Sequence, residues 1–166
     1  MATTYDKIAT TTLGSTSATI TFSSIAASWT DLKLVFVGTA STAALQNKIT
    51  FNGDTASNYS WTVLSGNGTA ASSTRYTAQL RLETAENSSL STTIPKMFMM
   101  DIFSYAGSTF KTALTSNAYD ANGSGASEAF VGLWRSTSAI TSITLTTSTN
   151  LYAVGTTATL YGIKAA

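Results

Sequence analysis

The 166-residue chain contains no cysteine, no histidine, one proline and only 10% charged residues. Without cysteine there are no disulfides and no thiol nucleophiles, so stability must come from burial and hydrogen bonding. Without histidine the commonest general base, the usual zinc ligand and the Ser-His-Asp arrangement are all excluded. The charge content lies far below the roughly 25% of ordinary soluble domains. Nine Lys and Arg against eight Asp and Glu leave a net charge of +1, and the cations are scattered from Lys7 to Lys164. Neutralising a phosphate backbone requires clustered cations, so no nucleic-acid partner is expected. No stretch approaches the roughly 20 apolar residues of a membrane span, and Met1–Lys7 carries no apolar signal core. The expectation is a chain synthesised in a cytoplasm, with no membrane partner.

What is abundant is hydroxyl. Ser and Thr make up about a third of the chain, beside 43% hydrophobic residues, enough for one continuous core. The surface is then neutral and hydroxyl-rich. Such a surface does little to keep free monomers apart, so much of it is expected to be covered by copies or partners.

Short runs of Val, Ile, Thr, Phe and Tyr, separated by Gly, Asn and Ser clusters, predict about ten strands. They are residues 18–22, 32–37, 48–51, 59–64, 76–82, 97–103, 110–115, 129–134, 140–146 and 158–163. No window has a convincing helical period; Ala40–Gln46 reads as a loop with at most one turn. Pro95 marks the start of a strand, where a missing N–H is tolerated. Asn52-Gly53 and Asn67-Gly68 supply the positive-φ residues of tight turns, and Asn122-Gly123 does so within a longer loop, 119–127. Residues 1–14 are polar and read as an N-terminal arm, with residues 15–166 as a single domain. Antiparallel strands with uneven loops predict an all-β, double-sheet sandwich, jelly-roll-like.

Few groups remain for chemistry. Asp6, Asp31, Asp54, Glu83, Glu86, Asp101, Asp120 and Glu128 fall mostly at turns and strand ends, and no catalytic pair stands out. An enzyme is not expected, and no catalytic residue, metal or cofactor is assigned. Asn52, Asp54 and Asn58 offer oxygens to a hard cation, but one carboxylate is too few for a strong calcium site. The favoured reading is a connection in which Asn and Asp side chains bond nearby backbone. Tyr59, Trp61, Tyr76 and Trp134 are candidate sugar-stacking platforms; the alternative, favoured for the two tryptophans, is that they fill the space between sheets. Met97–Phe103 is apolar on both faces, as in a central or interfacial strand, with Asp101 set among apolar neighbours. One reading makes it the buried partner of a cation such as Arg81 or Arg135, across a subunit boundary; the favoured reading is a carboxylate hydrogen-bonded within the chain.

A wider pattern runs through Ile8-Ala9-Thr10-Thr11-Thr12-Leu13-Gly14-Ser15, Ile20-Thr21-Phe22-Ser23-Ser24-Ile25 and Thr30-Asp31-Leu32. It continues in Phe51-Asn52-Gly53-Asp54, Ser57-Asn58-Tyr59-Ser60, Gly66-Asn67-Gly68, the Tyr105–Thr112 segment and Thr157–Ile163. In these the chain resembles the small β-rich structural proteins of tailed phages, notably those of cyanobacteria and other aquatic bacteria. Trp29 and Trp61 depart from the pattern, where smaller or polar residues are expected. The resemblance implies a virion protein. The leading expectation is a capsid decoration or cement protein, trimeric, contacting the major capsid protein. The alternative is a tail-fibre or adhesin module that binds host-surface glycans, and a glycan-cleaving depolymerase ranks last. Candidate interface or ligand contacts are Trp29, Tyr59, Trp61, Tyr76, Asp101 and Trp134.

Overall fold

The computed structural model of the chain describes residues 4–86 and 89–164. Among the described residues there is no helix. Twelve strands form, β1 (Tyr5–Thr12), β2 (Thr19–Phe22), β3 (Asp31–Gly38), β4 (Asn47–Phe51), β5 (Tyr59–Gly66), β6 (Ala71–Gln79), β7 (Leu82–Glu83), β8 (Lys96–Phe103), β9 (Lys111–Asp120), β10 (Gly125–Trp134), β11 (Ile143–Thr147) and β12 (Thr157–Ile163). They make two antiparallel sheets, one of eight strands in the order β1-β12-β3-β8-β9-β10-β5-β6 and one of four in the order β2-β11-β4-β7. The expected double-sheet sandwich therefore forms. Its eight-and-four division is more lopsided than the even double sheet of a jelly roll.

Period-two alternation explains how the layers meet. Leu32, Leu34 and Phe36 of β3 and Phe98, Met100 and Ile102 of β8 all point inward, each at most 1% exposed. Ile20, Phe22, Ile49, Phe51, Ile143 and Leu145 of the small sheet close on them to form one core. Phe36 stacks on Phe98 across the β3–β8 pair, with ring centroids 5.0 Å apart. Two glycines permit close approach. A Cβ on Gly132 would sit 2.9 Å from Leu82 of β7, and one on Gly162 would sit 2.2 Å from the Trp29 ring.

The strand starts differ from the sequence reading where side chains are small and polar. Residues 5–12, set apart as an arm, are instead the edge strand β1, paired with β12 from Tyr5↔Ile163 to Thr12↔Thr157. Thr–Thr cross-strand pairs such as Thr10–Thr159 stand where apolar alternation would have announced a strand. β6 likewise begins earlier, at Ala71, in a Ser/Thr run that carries no core residue. The expected loop 119–127 is a tight hairpin, with the strands running to Asp120 and Gly125 and Asn122 and Gly123 both at positive φ. Pro95 does immediately precede a strand.

Candidate functional site

Three of the predicted aromatics, Tyr59, Trp61 and Trp134, belong to the core, as favoured for the two tryptophans. Tyr59 and Trp134 stack at 6.3 Å and are at most 2% exposed, and Phe51 meets Trp134 edge-on at 5.6 Å. The Trp134 indole N–H donates to Asp54 Oδ2 at 2.7 Å, and Asn58 Nδ2 donates to the same oxygen at 2.9 Å. The Ala56 backbone N–H donates to Asp54 Oδ1 at 2.9 Å. Burial alone would raise the Asp54 carboxyl, but the bonds from Trp134, Asn58 and Ala56 hold it below its usual range. Asn52 Oδ1 accepts from the Thr141 and Ser142 backbone, and its amide donates to Ala139 O. The side-chain oxygens of Asn52 and Asp54 are thus aimed at N–H donors, and segment 52–58 clips the core shut.

Trp29 is half-buried against Gly162, with its indole N–H on Asp6 Oδ2 at 3.3 Å. Asp6 also pairs with Lys164 at 2.8 Å. Trp29 therefore ties β1 to the sandwich. Asp101 pairs with neither Arg81 nor Arg135: its carboxylate meets Lys33 Nζ at 2.7 Å across the β3–β8 ladder, with both side chains partly exposed. The pair lies on the outer face of the eight-stranded sheet, so the buried setting expected for Asp101 is corrected to a half-open one.

That outer face is apolar. Val37, Leu64, Met97, Phe103, Leu114 and Val131 are exposed, from 40% at Phe103 to 59% at Leu64. They span five neighbouring strands, β3, β8, β9, β10 and β5. The registers Val37↔Met97, Asp101↔Leu114 and Leu114↔Val131 place them on the same side as Asp101, with Ser116, Ala118 and Ala129 between them. Four strand spacings of about 4.8 Å and six residues of about 3.3 Å give a face about 19 Å by 20 Å. Lys33 and Asp101 neutralise one another toward its β3 margin, and Arg75 of β6 borders it beside Val131.

A second feature opens on the opposite side of the same sheet, at its β6 edge. A cleft of about 310 Å³ is lined by Gln46, Trp61, Tyr76, Gln79, Glu83 and Glu86, with Ala85. Trp61 and Tyr76 stack at 5.0 Å, and the Tyr76 hydroxyl donates to Glu86 Oε1. A bulge aims two β6 residues the same way. Tyr59 faces Gln79 and Trp61 faces Tyr76, leaving an extra residue on β6 where Ala78 adopts φ +54°. Without that bulge, residues 76 and 79 would point to opposite faces. Glu83 Oε1 lies 3.5 Å from Arg81 and 3.9 Å from Lys48. Burial pushes its carboxyl above the usual range, against the pull of both cations.

Glu128, buried beneath this cleft, holds its acidic rim in place. The carboxylate accepts from Ser65 Oγ at 3.2 Å, Asn117 Nδ2 at 3.0 Å and the Glu86 backbone N–H at 3.2 Å. Asn117 also donates to Thr84 O. The buried Lys96 belongs to the same polar interior; burial brings its ammonium down to about 8, against the pull of Glu128. Sequence reasoning found Trp61 and Tyr76 but not Gln46, Gln79, Glu83 and Glu86, which three separate chain segments deliver. Compared with known proteins, the chain matches no family model, and no curated protein or solved structure is significantly similar to it.

Proposed function

We propose that the chain is a structural protein of a tailed-phage particle, a decoration or cement protein whose activity is assembly. Copies pack on one another through the outer face of the eight-stranded sheet, as a trimer seated on the major capsid protein. The observation that carries assembly is the half-exposed apolar face centred on Leu114. Its projected area, about 400 Å², lies in the range where a monomer's largest apolar patch is often functional. The Ser/Thr margin provides a polar rim toward the roughly 800 Å² that each partner buries in a standard interface. Three copies can turn this face toward a common three-fold axis, because its Asp101 is already paired with Lys33 and the converging surfaces do not bring a bare carboxylate together. Low overall charge supports the same reading. The virion setting rests on the chain's resemblance in sequence pattern to small phage structural proteins.

The test is the protein's place and amount in purified particles. Label on the shell, at a copy number proportional to the major capsid protein, supports the proposal. Label confined to the tail, at a few copies per particle, contradicts it.

A further inference from the structure

We infer that the cleft between β5, β6 and the segment after β7 is a binding site for a single sugar residue, a neutral polyhydroxylated ring held by Trp61, Glu83 and Glu86. This goes beyond assembly and does not depend on it. The cleft faces away from the outer sheet face, so subunit packing there leaves it open.

Three observations converge. First, the Trp61 indole N–H and Glu83 Oε2 are buried and have no hydrogen-bond partner among the described residues, although Trp61 is only 5% exposed. Buried polar groups are nearly always satisfied, so an unmatched donor and acceptor just beneath the surface of one cleft point to a hydroxyl that meets them once their side chains turn toward it. A hydroxyl answers both needs, because it donates once and accepts twice.

Second, the remaining lining groups both donate and accept. Glu86 offers carboxylate oxygens and the Gln46 and Gln79 amides offer N–H donors as well as oxygens, whereas Arg81 and Lys48 are already engaged by Glu83 Oε1. An anion finds no free cation there, and Glu83 is already balanced, so the site does not require a cationic ligand. What remains is a neutral ligand rich in hydroxyls, which both donate and accept, with the partly exposed Tyr76 ring, backed by Trp61, beside it for the apolar side of a ring. Third, the site is built. The β6 bulge turns both Tyr76 and Gln79 inward, and Glu128 pins the Glu86 backbone from below. A volume of about 310 Å³ stands at the small end of ligand pockets, which suits one ring and not an extended chain.

The experiment follows indole N–H resonances of the full chain by NMR. Three tryptophans give three signals, and Trp61→Phe identifies the relevant one. Methyl glycosides and free reducing forms of glucose, galactose, mannose, N-acetylglucosamine and rhamnose are titrated to ~10 mM, ten times the Kd of a weak ~1 mM ligand. The expected result is a saturable shift of the Trp61 signal with at least one sugar, while the Trp134 signal, held by Asp54, stays in place. Binding of methyl glycosides points to the terminal residue of a glycan; binding of reducing forms alone points to a free sugar. Glu83→Gln should weaken binding about tenfold and Glu128→Gln about threefold with the fold intact, as loss of a charged hydrogen bond and of positioning respectively. The inference fails if no sugar moves the Trp61 signal saturably, if glycerol moves it equally well, or if Glu83→Gln binds with unchanged affinity.

Discussion

The two faces of the eight-stranded sheet are made from similar side chains, yet only one is covered within the chain. On the inner face Phe98 and Met100 are at most 1% exposed, closed over by the four-stranded sheet. On the outer face Met97, their neighbour in the same strand, is 45% exposed. The contrast separates two uses of apolar surface. The inner face holds the monomer together, and the outer face is left for another molecule. Substitutions on the two faces should therefore change different measurements.

The largest effect on monomer stability should come from the inner face. Phe98→Ala removes a fully buried ring stacked on Phe36 and should cost about 3–5 kcal/mol in denaturant unfolding. Next is a pH effect from the polar end of that interior. The Lys96 ammonium titrates near 8 when folded and near its ordinary 10.5 when unfolded, so between these values the unfolded chain binds more protons. Stability should then rise by about 2–3 kcal/mol from pH 8 to pH 10. Above pH 10 it should fall again, because burial raises the Tyr59 and Tyr152 hydroxyls and only the unfolded chain ionises them there. Lys96→Met should flatten the rise. Asp54→Ala, which leaves the buried Trp134 indole without its acceptor, should cost about 1–2 kcal/mol. Leu114→Ala, on the outer face, should cost under about 1 kcal/mol in the dissociated chain, since half of the side chain already meets solvent. A large loss there would break the division between the faces.

The sequence made the inner face legible because alternation with period two is a local signal: Leu32, Leu34 and Phe36 announce it within one segment. It also made β8 legible as a central strand, since Met97–Phe103 is apolar on both sides, and β8 lies fourth of eight. The edge strand β1 and the first half of β6 were hidden for the converse reason. They contribute little to the core, so their Thr and Ser positions carry no apolar period. Asp101 found Lys33 instead of a more distant arginine because register, which composition does not encode, sets the two opposite each other. The cleft was least visible of all. Its acidic residues look like turn residues in isolation, and only the β6 bulge and the Glu128 bonds bring them to Trp61 and Tyr76.

The most direct test of the assembly account is sedimentation velocity on the purified chain beside a Leu114→Asp, Val131→Asp double variant, both at ~100 µM, well above a ~1 µM Kd. The account predicts a trimer for the unaltered chain and a folded monomer for the variant, with little change in its unfolding midpoint. An unaltered chain that remains monomeric, or a variant that assembles as before, would contradict it.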